Sequence, residues 1–146
     1  MPQHLLDILG QSDLLKESLW LVKAYLKMSE NLEKRDGLLY VEGTDQLADG
    51  TYTSLDEDGA LYSEFSISKG KRHGSWIIYW SNGNIACKSE FEEGICNGDR
   101  FFYYKNGQIQ SHNKMKNDFR HGVCKEYNEN GSIVKVLRFK NGEQIN

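Results

Sequence analysis

Eleven of the fourteen glycines in this 146-residue chain fall on one lattice. Gly50, Gly74, Gly98 and Gly122 stand 24 residues apart, and Gly59, Gly83, Gly107 and Gly131 repeat the interval. Gly70, Gly94 and Gly142 form a third series, in which Asp118 fills the one missing position. A fixed period of this length marks a repeat architecture. Each unit is a supersecondary element that cannot bury its own apolar face and therefore stacks on the next.

The residue before each middle glycine is Asp58, Asn82, Asn106 or Asn130, and the flanking runs are rich in aromatic and β-branched residues. Asp-Gly and Asn-Gly between such runs are strong hairpin signals, because these residues tolerate positive φ. Each unit therefore reads as a β-hairpin, with Ser75 to Trp80 and Ile85 to Phe91 as the strands of the second. Period-two alternation assigns the faces. The columns Leu55/Tyr79/Tyr103/Tyr127, Leu61/Ile85/Ile109/Ile133 and Ile67/Phe91/Met115/Phe139 are uniformly apolar and are expected to form the buried stripe. The opposite face is less regular and concentrates Trp76, Ile78, Trp80, Phe102 and Tyr104 on the two middle units. Eight such strands would make a twisted sheet about 35 to 40 Å across.

Ahead of the array, Pro2 and Gly10 bracket a short helix signal. A longer helix is predicted from Ser12 or Asp13 to about Lys34, with Leu15, Leu19, Val22 and Leu26 at helical spacing. Residues 37–48 read as one further strand and a loop. The expected class is thus α+β: short N-terminal helices capping an elongated antiparallel sheet of four tandem hairpins. The domain division is a cap and lead-in strand over 1–48 and an array over 49–146, in units of about 49–72, 73–96, 97–120 and 121–144. Lys125, Glu126, Arg138 and Lys140 guard the last unit against strand pairing, and residues 1–36 are expected to cover the first.

Composition narrows the function. Charged residues make up 27%, mean hydropathy is -0.65, and no apolar run approaches the roughly 18 residues that a membrane-spanning helix requires. Asp7 interrupts the N-terminal apolar stretch and no basic region precedes it, so a secretory signal is not expected and the protein reads as cytoplasmic. Net charge is -3, which disfavours direct nucleic-acid binding. Cys87, Cys96 and Cys124 lack CxxC spacing and read as free thiols.

The segments Gly-Ser-Trp-Ile-Ile-Tyr-Trp-Ser-Asn-Gly-Asn-Ile (74–85), Gly-Asp-Arg-Phe-Phe-Tyr-Tyr-Lys-Asn-Gly-Gln-Ile (98–109) and Gly-Val-Cys-Lys-Glu-Tyr-Asn-Glu-Asn-Gly-Ser-Ile (122–133) share a pattern. It runs Gly, an aromatic about five residues on, Asn-Gly, then an aliphatic, and it resembles the MORN-repeat variant family, including short bacterial proteins grouped with YwqK-like antitoxins. The resemblance covers about two-thirds of the chain. It implies a non-enzymatic binding module, with many members serving as immunity proteins or antitoxins that block a cognate protein toxin, and others as scaffolds with phospholipid contact.

The residues themselves offer little chemistry. His73 and His121 share a column with Asp49 and Asn97 just before the first-series glycines, where a polar turn role is expected. His112 falls near Cys87 in adjacent-repeat register, but no third ligand shares their columns, and Cys96 sits beside Asn97-Gly98 with no base nearby in sequence. No catalytic residue, metal or cofactor is expected. The candidate partner-binding residues are therefore Trp76, Ile78, Trp80, Phe102 and Tyr104 as aromatic and apolar anchors, with Asp56, Glu57, Asp58, Glu92 and Glu93 as an acidic rim. Two readings of the anchors stand: an exposed interface, or a surface across which the N-terminal helix packs. In the alternative function, a scaffold or membrane-peripheral adaptor, the run Lys69 to His73 would contact anionic lipid.

Overall fold

A computed structural model describes residues 32–146, and over them the chain is antiparallel β with no helix. A hairpin of β1 (Leu32–Arg35) and β2 (Leu38–Val41) precedes one large sheet. That sheet contains β3 (Gly50–Leu55), β4 (Leu61–Ser68), β5 (Lys71–Tyr79), β6 (Ile85–Glu92), β7 (Ile95–Tyr103), β8 (Ile109–Lys116), β9 (Phe119–Arg120), β10 (Gly122–Tyr127), β11 (Ile133–Lys140) and β12 (Glu143–Ile145). Strands neighbour one another in chain order, with β9 and β10 both against β8. The α+β expectation is therefore corrected to all-β. The helix from Pro2 to Gly10 and most of the second lie outside the described residues. Where the second was to end, Leu32–Lys34 is strand instead, because Asp36 and Gly37 (φ 48° and 80°) close a two-residue turn that pairs Arg35 with Leu38 and Lys34 with Leu39.

The glycine series have distinct roles. The two-residue turns fall in the third series, at Lys69-Gly70, Glu93-Gly94, Asn117-Asp118 and Asn141-Gly142, where both residues have positive φ. Each unit is thus joined to the next by a hairpin as tight as those within it, and the chain is one continuous meander. In the middle series the loops are wider: Trp80 N donates to Asn84 O (2.7 Å) and Gly83 N to Trp80 O (2.9 Å), with only the glycine at positive φ. The asparagine contributes a side-chain acceptor instead, Asn82 Oδ1 taking a bond from Asn84 N at 3.0 Å. First-series glycines sit within long strands. Pairing of β4 with β5 jumps from Phe65↔Trp76 to Ile67↔Arg72, so three residues around Gly74 (φ 92°) oppose one, and the strand bends there.

Bonds repeated at the array's own period tie each unit to the next. Gly70 N donates to Ala48 O, Gly94 N to Arg72 O, Asp118 N to Cys96 O and Gly142 N to Arg120 O, at 2.8 to 3.1 Å. The polar column completes each turn: Asp49, His73, Asn97 and His121 accept from the backbone N–H of Lys69, Glu93, Asn117 and Asn141. The histidines here are turn acceptors, in line with the role expected for that column. The first unit is capped by the β1–β2 hairpin, where Leu39 N donates to Gly70 O and Ala48 N to Leu39 O, burying Leu39 and Ala48.

One face of the sheet is buried, and it is not the one that alternation alone suggests. Phe65, Ile67, Trp76, Ile78, Cys87, Phe91, Cys96 and Met115 form the core, with Tyr52 and Phe102 packed against it. Of the three columns expected inside, Ile67/Phe91/Met115/Phe139 is buried, whereas Leu55 (56% exposed) and Ile133 (52%) belong to columns on the opposite face. A bulge causes the difference. Tyr79 pairs with Ile85 but Ile78 pairs with Cys87, so Ala86 is an extra residue and every position beyond it changes face. The same slip recurs at Leu55/Leu61, Tyr103/Ile109 and Tyr127/Ile133.

All three cysteines are free and buried on the inner face. Burial pushes the Cys87 thiol up to about 11 despite the opposing effect of nearby Arg100, and burial raises Cys96 and Cys124 as well. Native protein is expected to leave all three unmodified by a thiol reagent at mildly alkaline pH and to titrate all three once unfolded. Because the folded Cys87 thiol ionises above its unfolded value of about 8.5, its contribution to stability is present below that pH and is lost as pH rises toward the folded value. Rapid modification of the folded chain would contradict this placement.

Candidate partner-binding face

The outer face is built from rows that cross every strand. One is apolar: the pairs Leu55↔Leu61, Tyr79↔Ile85, Tyr103↔Ile109 and Tyr127↔Ile133 line up along the loop ends of the four units. Its middle members are half-buried against one another and its end members are exposed. The next row alternates charge and ring, running Glu64, Ile77, Lys88, Phe101, His112, Lys125 and Val136 through successive pairings.

Polar contacts hold these rings in place. Tyr79 Oη donates to Glu64 Oε2 at 3.1 Å, and burial raises both the Tyr79 and Tyr103 phenols, which keeps them neutral donors. The Phe101 ring stacks on His112 at 4.3 Å and lies 6.2 Å from Tyr103. Asp99 Oδ1 is 2.6 Å from both Lys114 Nζ and His112 Nε2. Hydrogen bonds from Lys114, then His112, hold the Asp99 carboxyl below its ordinary range. A depressed carboxyl stabilises the fold above its unfolded value of about 3.9 and loses that contribution as pH falls through the folded one. Denaturant titrations in the acid range should therefore show a pH dependence that Asp99→Asn reduces; the same slope in both proteins would count against this ion pair.

The structure separates the sequence-derived candidates. Trp76 (7% exposed) and Ile78 (0%) are core residues, Trp76 lying tilted on Phe91 at 5.8 Å, so neither is presented to solvent. Trp80 and Tyr104 are half-buried and reach across unit boundaries, Trp80 Nε1 donating to Tyr103 O (3.1 Å) and Tyr104 Oη to Tyr127 O (2.7 Å). Phe102 packs at the margin of the core. The acids do not form one rim. Asp56, Glu57 and Asp58 occupy a middle-series loop, and Asp56 Oδ1 is spent on the N–H groups of Asp58 and Ala60. Glu92 and Glu93 lie at the other end of the strands, about 25 Å away by strand length.

The remaining chemical candidates are also dispersed. His112 is on the outer face and Cys87 on the inner, so the two do not converge. Cys96 is a buried strand residue rather than part of a turn, with Arg100 Nη2 3.0 Å from its sulfur. Among the described residues no three metal-ligating side chains come together. Arg72 is drawn onto the Trp76 ring (4.4 Å) and Lys71 sits 3.8 Å from Glu93, so the run Lys69 to His73 is partly neutralised from within. The outer apolar row escaped sequence reasoning because its columns were read as core. The signal that finds it is the one-residue offset of each bulge.

Meandering hairpins of one period, tied turn to turn, are the geometry against which family membership can be judged. Three segments match the MORN repeat variant, residues 72–93, 97–117 and 120–141. MORN repeats are a non-enzymatic binding repeat type. No curated protein matches the chain. The matched repeats span β5 through β11, while the unit over β3 and β4 keeps the same turns and ties outside the match. Asn82 and Asn106 show what the repeat asks of its asparagine: their amides also donate to Lys105 O and Glu129 O of the following unit, a bond aspartate cannot make.

Proposed function

We propose that this chain is a non-catalytic protein-binding module, and more specifically an immunity or antitoxin protein that holds a cognate protein toxin in an inactive complex. The observation that carries the reading is the outer apolar row. A sheet whose inner face already buries its own core has no structural need for tyrosines and isoleucines on the other side, and rigid aromatic side chains flanked by charge are what protein interfaces use as anchors. Tyr103 and Tyr127 are the anchors in this reading. The acidic loop at Asp56–Asp58 and the turn at Glu92–Glu93 steer a basic partner from either end of the hairpins.

Co-expression with the product of the neighbouring open reading frame tests this directly. Rescued growth and co-purification are expected, and replacing Tyr103 and Tyr127 together by alanine should weaken the complex by about 30-fold or more while leaving the chain folded. Neither rescue nor co-purification by the wild-type chain would overturn the reading. The membrane-adaptor alternative predicts flotation with anionic liposomes. With Arg72 on Trp76 and Lys71 beside Glu93, no flotation is expected.

A further inference from the structure

We infer that the open edge of β11 over Ile133–Leu137 receives an extended acidic segment of a partner protein as an added antiparallel strand. This surface is separate from the outer apolar row, and its argument does not depend on that row. In every earlier unit the second strand has its far edge filled by the next unit: Ser63 pairs with Ile78, Cys87 with Phe102 and Ser111 with Glu126. The equivalent position on β11 is Lys135. β12 pairs only with Arg138, Phe139 and Lys140, so the preceding five residues of β11 have no strand against that edge among the described residues. Asn130 occupies the place from which Asn82 and Asn106 donate to a following carbonyl.

Side chains decide what fits. Val136 is 55% exposed, and an incoming strand would cover it as Lys125 covers one side of it now. β11 carries Lys135, Arg138 and Lys140 and no acidic residue. Those cations disfavour a second copy pairing antiparallel about Lys135, since it would set Lys135 against itself. They favour carboxylates on the incoming strand. The edge charges that guard against self-association therefore select an acidic, β-forming segment, with main-chain bonds supplying affinity and alternate side chains supplying specificity.

The test is fluorescence anisotropy of the full chain with three labelled octapeptides: alternating Glu-Val, alternating Lys-Val, and Glu-Val interrupted by a central proline. Only the uninterrupted acidic peptide should bind, and hydrogen exchange at residues 133–137 should slow when it does. Lys135→Glu should weaken it by about tenfold. Raising salt to about 0.5 M should weaken it similarly in the wild-type chain, which keeps the test informative if that variant unfolds. Equal binding of the acidic and basic peptides, equal binding of the proline-interrupted one, or no binding up to about 1 mM would each overturn the inference.

Discussion

Gly70→Ala should lower the unfolding free energy by roughly 3–5 kcal/mol, far more than the same change at the equivalent turn, Gly94→Ala, at about 1–2 kcal/mol. Both glycines take the second position of a two-residue turn at positive φ (77° and 85°), so the backbone strain of a β-carbon is common to the two. The surroundings differ. A β-carbon at Gly94 would meet nothing nearer than Lys71 Cβ at 3.9 Å, whereas at Gly70 it would stand 2.8 Å from Leu47 Cδ2 and 3.0 Å from Leu39 O. Leu47 could shift, but the Leu39 carbonyl belongs to the backbone of the capping hairpin, which is itself bonded to Gly70. Relieving the clash means lifting that hairpin off the first unit. Denaturant titration of the two variants measures the difference, and equal losses would show that the hairpin does not press on this turn.

Trp76→Ala should cost about 3–5 kcal/mol, the range for deleting a large buried aromatic, because its ring lies against Phe91 and under Arg72 in a face with no solvent path. Trp80→Ala removes a ring of the same size but a smaller share of burial and one cross-unit hydrogen bond, and should cost about 1–2 kcal/mol. Thermal or denaturant unfolding of the pair separates the two roles. Near-wild-type stability in Trp76→Ala would mean that the tryptophan is displayed rather than packed, and would return it to the interface where its column first suggested it belonged.

These residues also show how far sequence reasoning reaches. The period, the number of hairpins and the turn role of the Asp49/His73/Asn97/His121 column were all legible, because each depends on residues close in sequence and on the conformational demands of Gly, Asn and Asp. Face assignment failed at Ala86 and its equivalents. A bulge inserts one residue without altering composition, and a single insertion reverses every later side chain. The capping hairpin was missed although Asp36-Gly37 announces a turn, since the helical spacing of the leucines before it extended the pattern to Lys34. The acidic candidates shared a chemistry but not a place: residues 57 and 93 are at opposite ends of eight-residue strands.

By itself, then, the chain's 24-residue lattice determined that hairpins follow one another and where each one turns, because positive φ is a local property that glycine and asparagine advertise. Only the tertiary structure decided which face is core and which is free, because burial is set by what stacks above and below a strand. Whether Tyr103 is packed away or presented depends on a pairing offset several residues distant, and alternation carries no record of that offset.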